Sequence, residues 1–418
     1  MQPRHRQAMY ALLDRGTAAL AGLLVVFALT RLLGPKLYGV FLLAETIHIL
    51  LLLTLEQTPG QALIFFSANR EDEEHLDVLR SVLVVKTLAF LILYTIIFLL
   101  AEPLAQVFGD AAIAPLLRLL PIASFGMILL GTANQVHTGR HNLALVFRNE
   151  LILFFCLALV FGVGWLGGWI VTPFAGMAAL VAGRFVAGLL ATRSIAPELR
   201  AVFRSTRTTH LLKSLRYGAL SLANTLGVFV FTKTDILLLG LMASKASVGV
   251  YGACVAALAY YRMVADAMNL IVFPRVAARR ELPLDQLRIN IRRLYLGGAL
   301  FGVLFGLPLS LVIFFNAGGL LALVFGGSFV IGAPILILFG AWGLLLPFFR
   351  LAGSVLNGLG YPGDNAKTTL LVGAINVALN LPLIYLFDAF GAAVASLLSN
   401  MLGMALLLNK MRRRLGYS

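Results

Sequence analysis

Charge is scarce in this chain, and acidic charge scarcest. Of 418 residues only 12% are charged, with 18 acids against 33 bases. A soluble domain of this length needs far more polar surface, so the water-soluble classes are excluded. The two cysteines, Cys156 and Cys254, lie in different apolar runs. That excludes a disulfide framework or thiolate metal centre and leaves two inert buried thiols. No loop is long enough to hold a separate soluble domain. No Walker loop, G-x-S-x-G element or nucleophile–base pairing occurs. Gly162, Gly164 and Gly167 match a dinucleotide-binding motif by letter, but no strand precedes them, so the segment reads as a turn anchored by Trp165 and Trp169. His137 and His141 have the spacing of a helical metal pair. Gly139 and Arg140 interrupt them and no acid or cysteine is suitably placed, so they read as an inner-surface turn. Neither enzymatic chemistry nor a cofactor or metal is expected.

Long apolar runs fill the space left by these absences. Hydrophobic residues make up 60% of the chain, and the mean hydropathy is +0.93. The pattern predicts an all-α polytopic membrane protein with about twelve transmembrane helices. They fall near 14–33, 37–66, 81–101, 115–138, 144–166, 171–192, 214–240, 246–273, 291–316, 330–357, 367–388 and 391–410. No small-residue cleavage site follows the first run, which reads as a permanent span. The net charge of +15 is gathered in alternate loops, including Arg70 and Arg80, the linker 193–216, Arg275 to Arg293 and the C-terminal basic residues. This placement follows the positive-inside rule, excludes nucleic acid as the partner and puts both termini in the cytoplasm. The acidic segment 69–77 reads as a solvated linker on the same side.

The linker 193–216 predicts two six-helix halves, 1–205 and 206–418, related as a parallel pseudo-repeat around a central cavity. An offset of 210 residues sets Gly39-Val40-Phe41 on Gly249-Val250-Tyr251 and Glu56 on Asp266. Small residues recur every four positions at Ala175, Ala179, Gly183 and Ala187, at Gly391, Ala395, Ser399 and Gly403, and at Gly298, Gly302 and Gly306. Such ridges let membrane helices approach closely.

The stretch from Phe229 to Asp266 reads as a hairpin of two apolar helices carrying Lys233, Asp235, Arg262 and Asp266. Leu20 to Glu56, with Arg31, Lys36, Glu45, His48 and Glu56, reads as its second copy. A charge near the centre of a membrane helix costs roughly 2.5–3.5 kcal/mol on insertion scales, so it faces protein or water and marks a solute path. Arg262 and Asp266 share a helix face at i, i+4 and are expected to pair. Lys86 and Lys233 lie near enough to span ends to snorkel, whereas Arg262 and Arg350 do not. Arg184 is the remaining cation within an apolar run.

RLLGPKLYGVFLLA (31–44) resembles the turn after the first helix of bacterial oligosaccharide flippases, the polysaccharide-transport branch of the multidrug/oligosaccharidyl-lipid/polysaccharide (MOP) exporter superfamily. TDILLLGLMASKASVGVYGACVAAL (234–258), LVFGGSFVIGAPILILFG (323–340), LNGLGYPGDN (356–365) and FGAAVASLLS (390–399) resemble later landmarks of that family in the right order. Glu56 departs from the family pattern. The resemblance implies a monomeric flippase of the bacterial inner membrane that carries a polyprenyl-pyrophosphate-linked oligosaccharide by alternating access, among membrane lipids and beside polysaccharide polymerase or glycosyltransferase partners. Arg262, Arg350, Lys233 and Arg184 are the substrate-binding candidates for such an anion, and Asp266, Glu56, Asp235 and His48 the ion-coupling or orienting candidates. A multidrug and toxin extrusion antiporter and a peptidoglycan-precursor flippase are the alternatives.

Overall fold

The computed structural model describes residues 4–67, 72–204 and 210–416. Positions 69–71 of the acidic segment, with Arg70, and Arg207 of the linker lie outside the described residues. The regular elements are α1 (Arg4–Ser67), α2 (Asp72–Val107), α3 (Ile113–Gly139), α4 (Leu143–Leu166), α5 (Pro173–Thr192), α6 (Ala196–Arg204), α7 (Leu211–Met242), α8 (Lys245–Ala277), α9 (Leu284–Val324), α10 (Ala333–Gly358) and α11 (Pro362–Arg414), joined by two short 3-10 turns. No strand occurs among the described residues. An all-helical membrane chain satisfies each backbone hydrogen bond within its own segment, which lipid cannot do for it.

Among the described residues nine helices are long and apolar enough to cross a membrane. Their large apolar side chains are widely exposed, Leu99 at 70% and Phe315 at 79%. Water would not tolerate such a surface, and a bilayer requires it. The chain is a multi-pass membrane protein. The apolar stretches within α1 and α11 run to 57 and 53 residues, far beyond the roughly 20 that one crossing needs. Each helix is broken once. Gly34 takes φ 68° and ψ 177°, open to glycine alone, and Asp388 takes φ 54° and ψ −137°. Ser247 Oγ donates to Asp388 Oδ2 at 2.7 Å, steadying the second break. Gly34 falls in the gap expected between the spans 14–33 and 37–66, and Asp388 is the last residue of the expected span 367–388.

By packing, the chain forms two compact units, Met1–Leu33 with Val40–Phe229, and Gly34–Gly39 with Val230–Ser418. The expected boundary at 205/206 lies in the linker, whereas the division by packing falls within α7, after Phe229. In the first unit α3 packs on α5, α4 on α5 and α2 on α3; in the second, α10 packs on α8, α9 and α11.

The short Gly34–Gly39 segment packs closely on the start of α8. A Cβ on Gly39 would strike the carbonyl of Lys245, and one on Gly249 would strike the carbonyl of Pro35. The offset of 210 that matches Gly39 to Gly249 also matches Pro35 to Lys245. Each glycine thus lies against the backbone of the other's segment. A side chain at either position would force these backbones apart.

The small-residue ridges are buried contacts. A Cβ built on Gly183 would lie 3.4 Å from Leu157 Cα of α4, one on Gly302 would strike the ring of Pro347 from α10, and Gly298 faces Leu351 and Val272. Ser399 is fully buried and Gly403 meets Val372 and Phe349. Overpacking a filled core costs about 1–3 kcal/mol. Gly183→Leu is therefore expected to lower the melting temperature by several degrees and cut the folded yield. A variant that accumulates and melts like the parent would show that the α4–α5 contact is incidental.

Candidate functional site

In the second unit, Arg262 and Asp266 stand one turn apart on α8 yet do not make the expected pair. Side chains on a helix lean toward its N-terminus, so the Arg262 guanidinium travels back along α8 and donates to the carbonyl of Val255 at 3.2 Å. Asp266 lies one turn in the opposite direction. Its carboxylate pairs with Arg350 of α10, Nη2 to Oδ1 3.6 Å, and both side chains stay well exposed, at 40% for Arg350 and 37% for Asp266. Arg262 lies within electrostatic reach of Arg350, Asp266 and Asp235. The α8–α10 packing thus sets one guanidinium on an accessible acid, with a second within electrostatic reach.

The lean of Arg262 points it toward a second cluster. Asp235 of α7 is buried and receives hydrogen bonds from the Tyr251 hydroxyl, from Ser396 Oγ at 3.3 Å and from the Ile236 amide at 3.1 Å. Tyr251 lies one helical turn from Val255, the residue that holds Arg262. Beyond Ser396 the network continues through α11: Asn376 Nδ2 donates to Ser396 Oγ and Ser399 Oγ, and Asn380 Nδ2 to Asn376 Oδ1 at 2.9 Å. Asn380 is fully buried, and its Oδ1 has no hydrogen-bond partner. A carboxylate, three hydroxyls and two amides, with one orphan acceptor, form a hard-oxygen cluster suited to a small cation. Lys233, two residues from Asp235, adds positive potential to the carboxylate.

The first unit holds its charges differently. Arg184 of α5 grips Glu45 of α1 through two nitrogens, at 2.7 and 3.3 Å. His48 completes the group, with Nδ1 at 3.0 Å from Glu45 and 3.1 Å from Arg184, and Nε2 at 2.7 Å from Ser124, which also bonds Tyr94. Glu45 and His48 are buried. Glu56 pairs with Lys86 at 3.0 Å. Lys86 is therefore no snorkelling side chain; it is 1% exposed and fixed by its acid. Among the sequence candidates, Arg262, Arg350, Asp266 and Asp235 come together in the second unit. Arg184, His48 and Glu56 belong to paired groups of the first. Tyr251, Asn376, Asn380 and Ser396 carry no charge and were not singled out by sequence reasoning, although Asn376 and Asn380 stand i, i+4 within an apolar span.

The chain is similar to several known proteins. A family model described as "Polysaccharide biosynthesis protein" matches residues 28–331. Two curated relatives come from Haloferax volcanii. A probable low-salt glycan biosynthesis flippase, Agl15, is 24% identical over 250 residues, covering 58% of this chain and 51% of the relative. A probable flippase, AglR, is 27% identical over 191 residues, 45% of this chain and 39% of its own length. The chain thus spans about half or less of the relatives it matches. Among solved structures, the lipid II flippase MurJ in an inward closed conformation superposes with a TM-score of 0.79 at 13% identity, covering 97% of this chain and 87% of that one. An inward-facing multidrug resistance MATE transporter of the MOP superfamily gives 0.75 at 14%, covering 96% and 94%. The fold is that of the MOP transporters.

Proposed function

The chain belongs to the polysaccharide biosynthesis protein family, and from that membership we propose that it flips a polyprenyl-pyrophosphate-linked oligosaccharide across a cytoplasmic membrane, by alternating access, for surface polysaccharide assembly. The observation that carries this reading is the ion pair of Arg350 with the accessible acid Asp266, with Arg262 within electrostatic reach of both. A pyrophosphate is a compact anion, and guanidinium groups stay charged and offer paired planar donors where an ammonium offers a point charge. Asp266 holds Arg350 in place while the site is empty and yields it when the anion arrives. A cationic-drug antiporter needs the opposite balance, with acids in excess. A peptidoglycan-precursor flippase shares the anion chemistry and differs in the glycan.

The Asp235 cluster supports a coupling role. A monovalent cation arriving there removes the pull of the carboxylate on Arg262 and makes the neighbourhood more positive. Cation and pyrophosphate then favour each other's binding, and the linkage is reciprocal. Lys233 tunes the same field, while the paired groups of Arg184, His48 and Glu56 hold the first unit rigid.

Deletion of the gene tests the reading. Lipid-linked oligosaccharide is expected to accumulate with its glycan in the cytoplasmic leaflet, and surface polysaccharide to disappear. Normal surface polysaccharide in a verified deletion would sink the proposal, and a block confined to peptidoglycan precursors would turn it to that substrate. Orientation is checked separately. With both termini cytoplasmic, cysteines at Trp165 and Lys245 are expected to react with an impermeant reagent in intact cells and one at Arg280 to stay unlabelled. The reverse pattern contradicts the assigned sidedness.

A further inference from the structure

The Lys86 ammonium sits in an unusual shell. Four oxygens lie at one radius from Nζ, 3.0 Å each: both carboxylate oxygens of Glu56, Oγ1 of Thr132 and Oε1 of Gln135. An ammonium has three N–H donors, so four oxygens at equal distance describe the surroundings of a spherical cation more closely than three directed hydrogen bonds. The walls are built for it. Gln135 turns its amide so that Nε2 donates to Glu56 Oε2 at 2.7 Å while its oxygen faces the ammonium. Thr132 is buried. A Cβ on Gly131 would strike the Glu56 carboxylate, and one on Gly60 the Gln135 amide. Glu56 keeps 17% of its side chain exposed, which leaves the cage an approach.

We propose that this cage, formed by Glu56, Thr132 and Gln135 on α1 and α3, is a monovalent-cation site of ammonium or potassium size that the chain fills with its own Lys86. The acid of the first unit carries a tethered cation, whereas the Asp235 cluster of the second unit meets its carboxylate with hydroxyls and amides as well as the Lys233 field. A free cation offered to the whole protein therefore has no place at Glu56 while Lys86 is present. Hard-oxygen shells of carbonyl, hydroxyl and carboxylate replace the hydration of such ions. The inference concerns the first unit and does not depend on the transported substrate.

Lys86→Met tests it, because the methionine keeps the apolar stem and vacates the position of Nζ. The purified full-length variant and wild type are melted in choline chloride, then at equal ionic strength in ammonium or potassium chloride. In choline the variant is expected to melt roughly 5–10 °C below wild type, since a buried charge left without its partner is strongly destabilising. Ammonium or potassium is expected to restore at least half of that loss and to leave the wild type little moved. The double variant Lys86→Met/Glu56→Gln, with neither charge, is expected to respond to no cation. Equal melting of Lys86→Met in every salt overturns the proposal. So does a recovery that persists in the double variant, or a failure of Lys86→Met to fold in any salt.

Discussion

Arg262→Ala and Arg350→Ala are each expected to reduce transport by about 10- to 100-fold, while protein level and membrane insertion stay unchanged. A hydrogen bond to a charged group contributes about 1.5–3 kcal/mol, and each 1.4 kcal/mol is tenfold. If both arginines act on one pyrophosphate, as proposed, the double variant is expected to fall below detection. Arg262→Lys should rescue only in part, because an ammonium lacks the paired-donor geometry. Asp266→Asn should cost less than either alanine change, since it alters the hold on Arg350 at 3.6 Å and leaves the cation itself. Surface polysaccharide, measured against the amount of inserted protein, decides the order. Full export from the double variant would remove both arginines from the mechanism.

The second large effect is expected at Asp235, through a different observable. In the wild type, substrate affinity should rise with the coupling cation by a factor within the usual range of linked sites, about 5- to 150-fold. Asp235→Asn makes the carboxylate neutral, as a bound cation does. The variant is expected to bind the lipid-linked glycan with the cation-saturated affinity at every cation concentration. Titration in sodium against choline at fixed pH, then in a pH series without sodium, tells which monovalent cation is used. Asn380→Ala should weaken the cation dependence without abolishing it, because it removes one neutral oxygen of the cluster. An unchanged cation response in Asp235→Asn would take the cluster out of the coupling.

Much of the architecture was legible in the sequence because a bilayer imposes a simple rule on composition. The apolar runs mark helices, and the breaks at Gly34 and Asp388 fall where the runs part. Gly39 and Gly249, which the offset of 210 sets on each other, lie against each other's backbone segments. Side-chain partners were harder to read. The i, i+4 spacing of Arg262 and Asp266 promised a pair, but the tilt of helical side chains toward the N-terminus carries the arginine away from an acid on its C-terminal side. Asp266 then takes its partner from α10, far away in sequence. Lys86 looked close enough to a span end to reach water, yet Glu56 and two polar residues of α3 hold it inside. Asn376 and Asn380 carry no charge to mark them within their span. A search for paired amides would have found Asn376 and Asn380, since two such groups on one face of an apolar helix need partners as surely as charges do.

The most direct test of the central claim is flipping by the purified protein in proteoliposomes, with a polyprenyl-pyrophosphate-linked oligosaccharide in the outer leaflet and its glycan assayed by an impermeant glycosidase. Wild-type vesicles are expected to protect the glycan far faster than vesicles carrying equal amounts of the Arg262→Ala/Arg350→Ala variant, whose rate should match protein-free vesicles. Equal rates for wild type and the double variant would contradict the account.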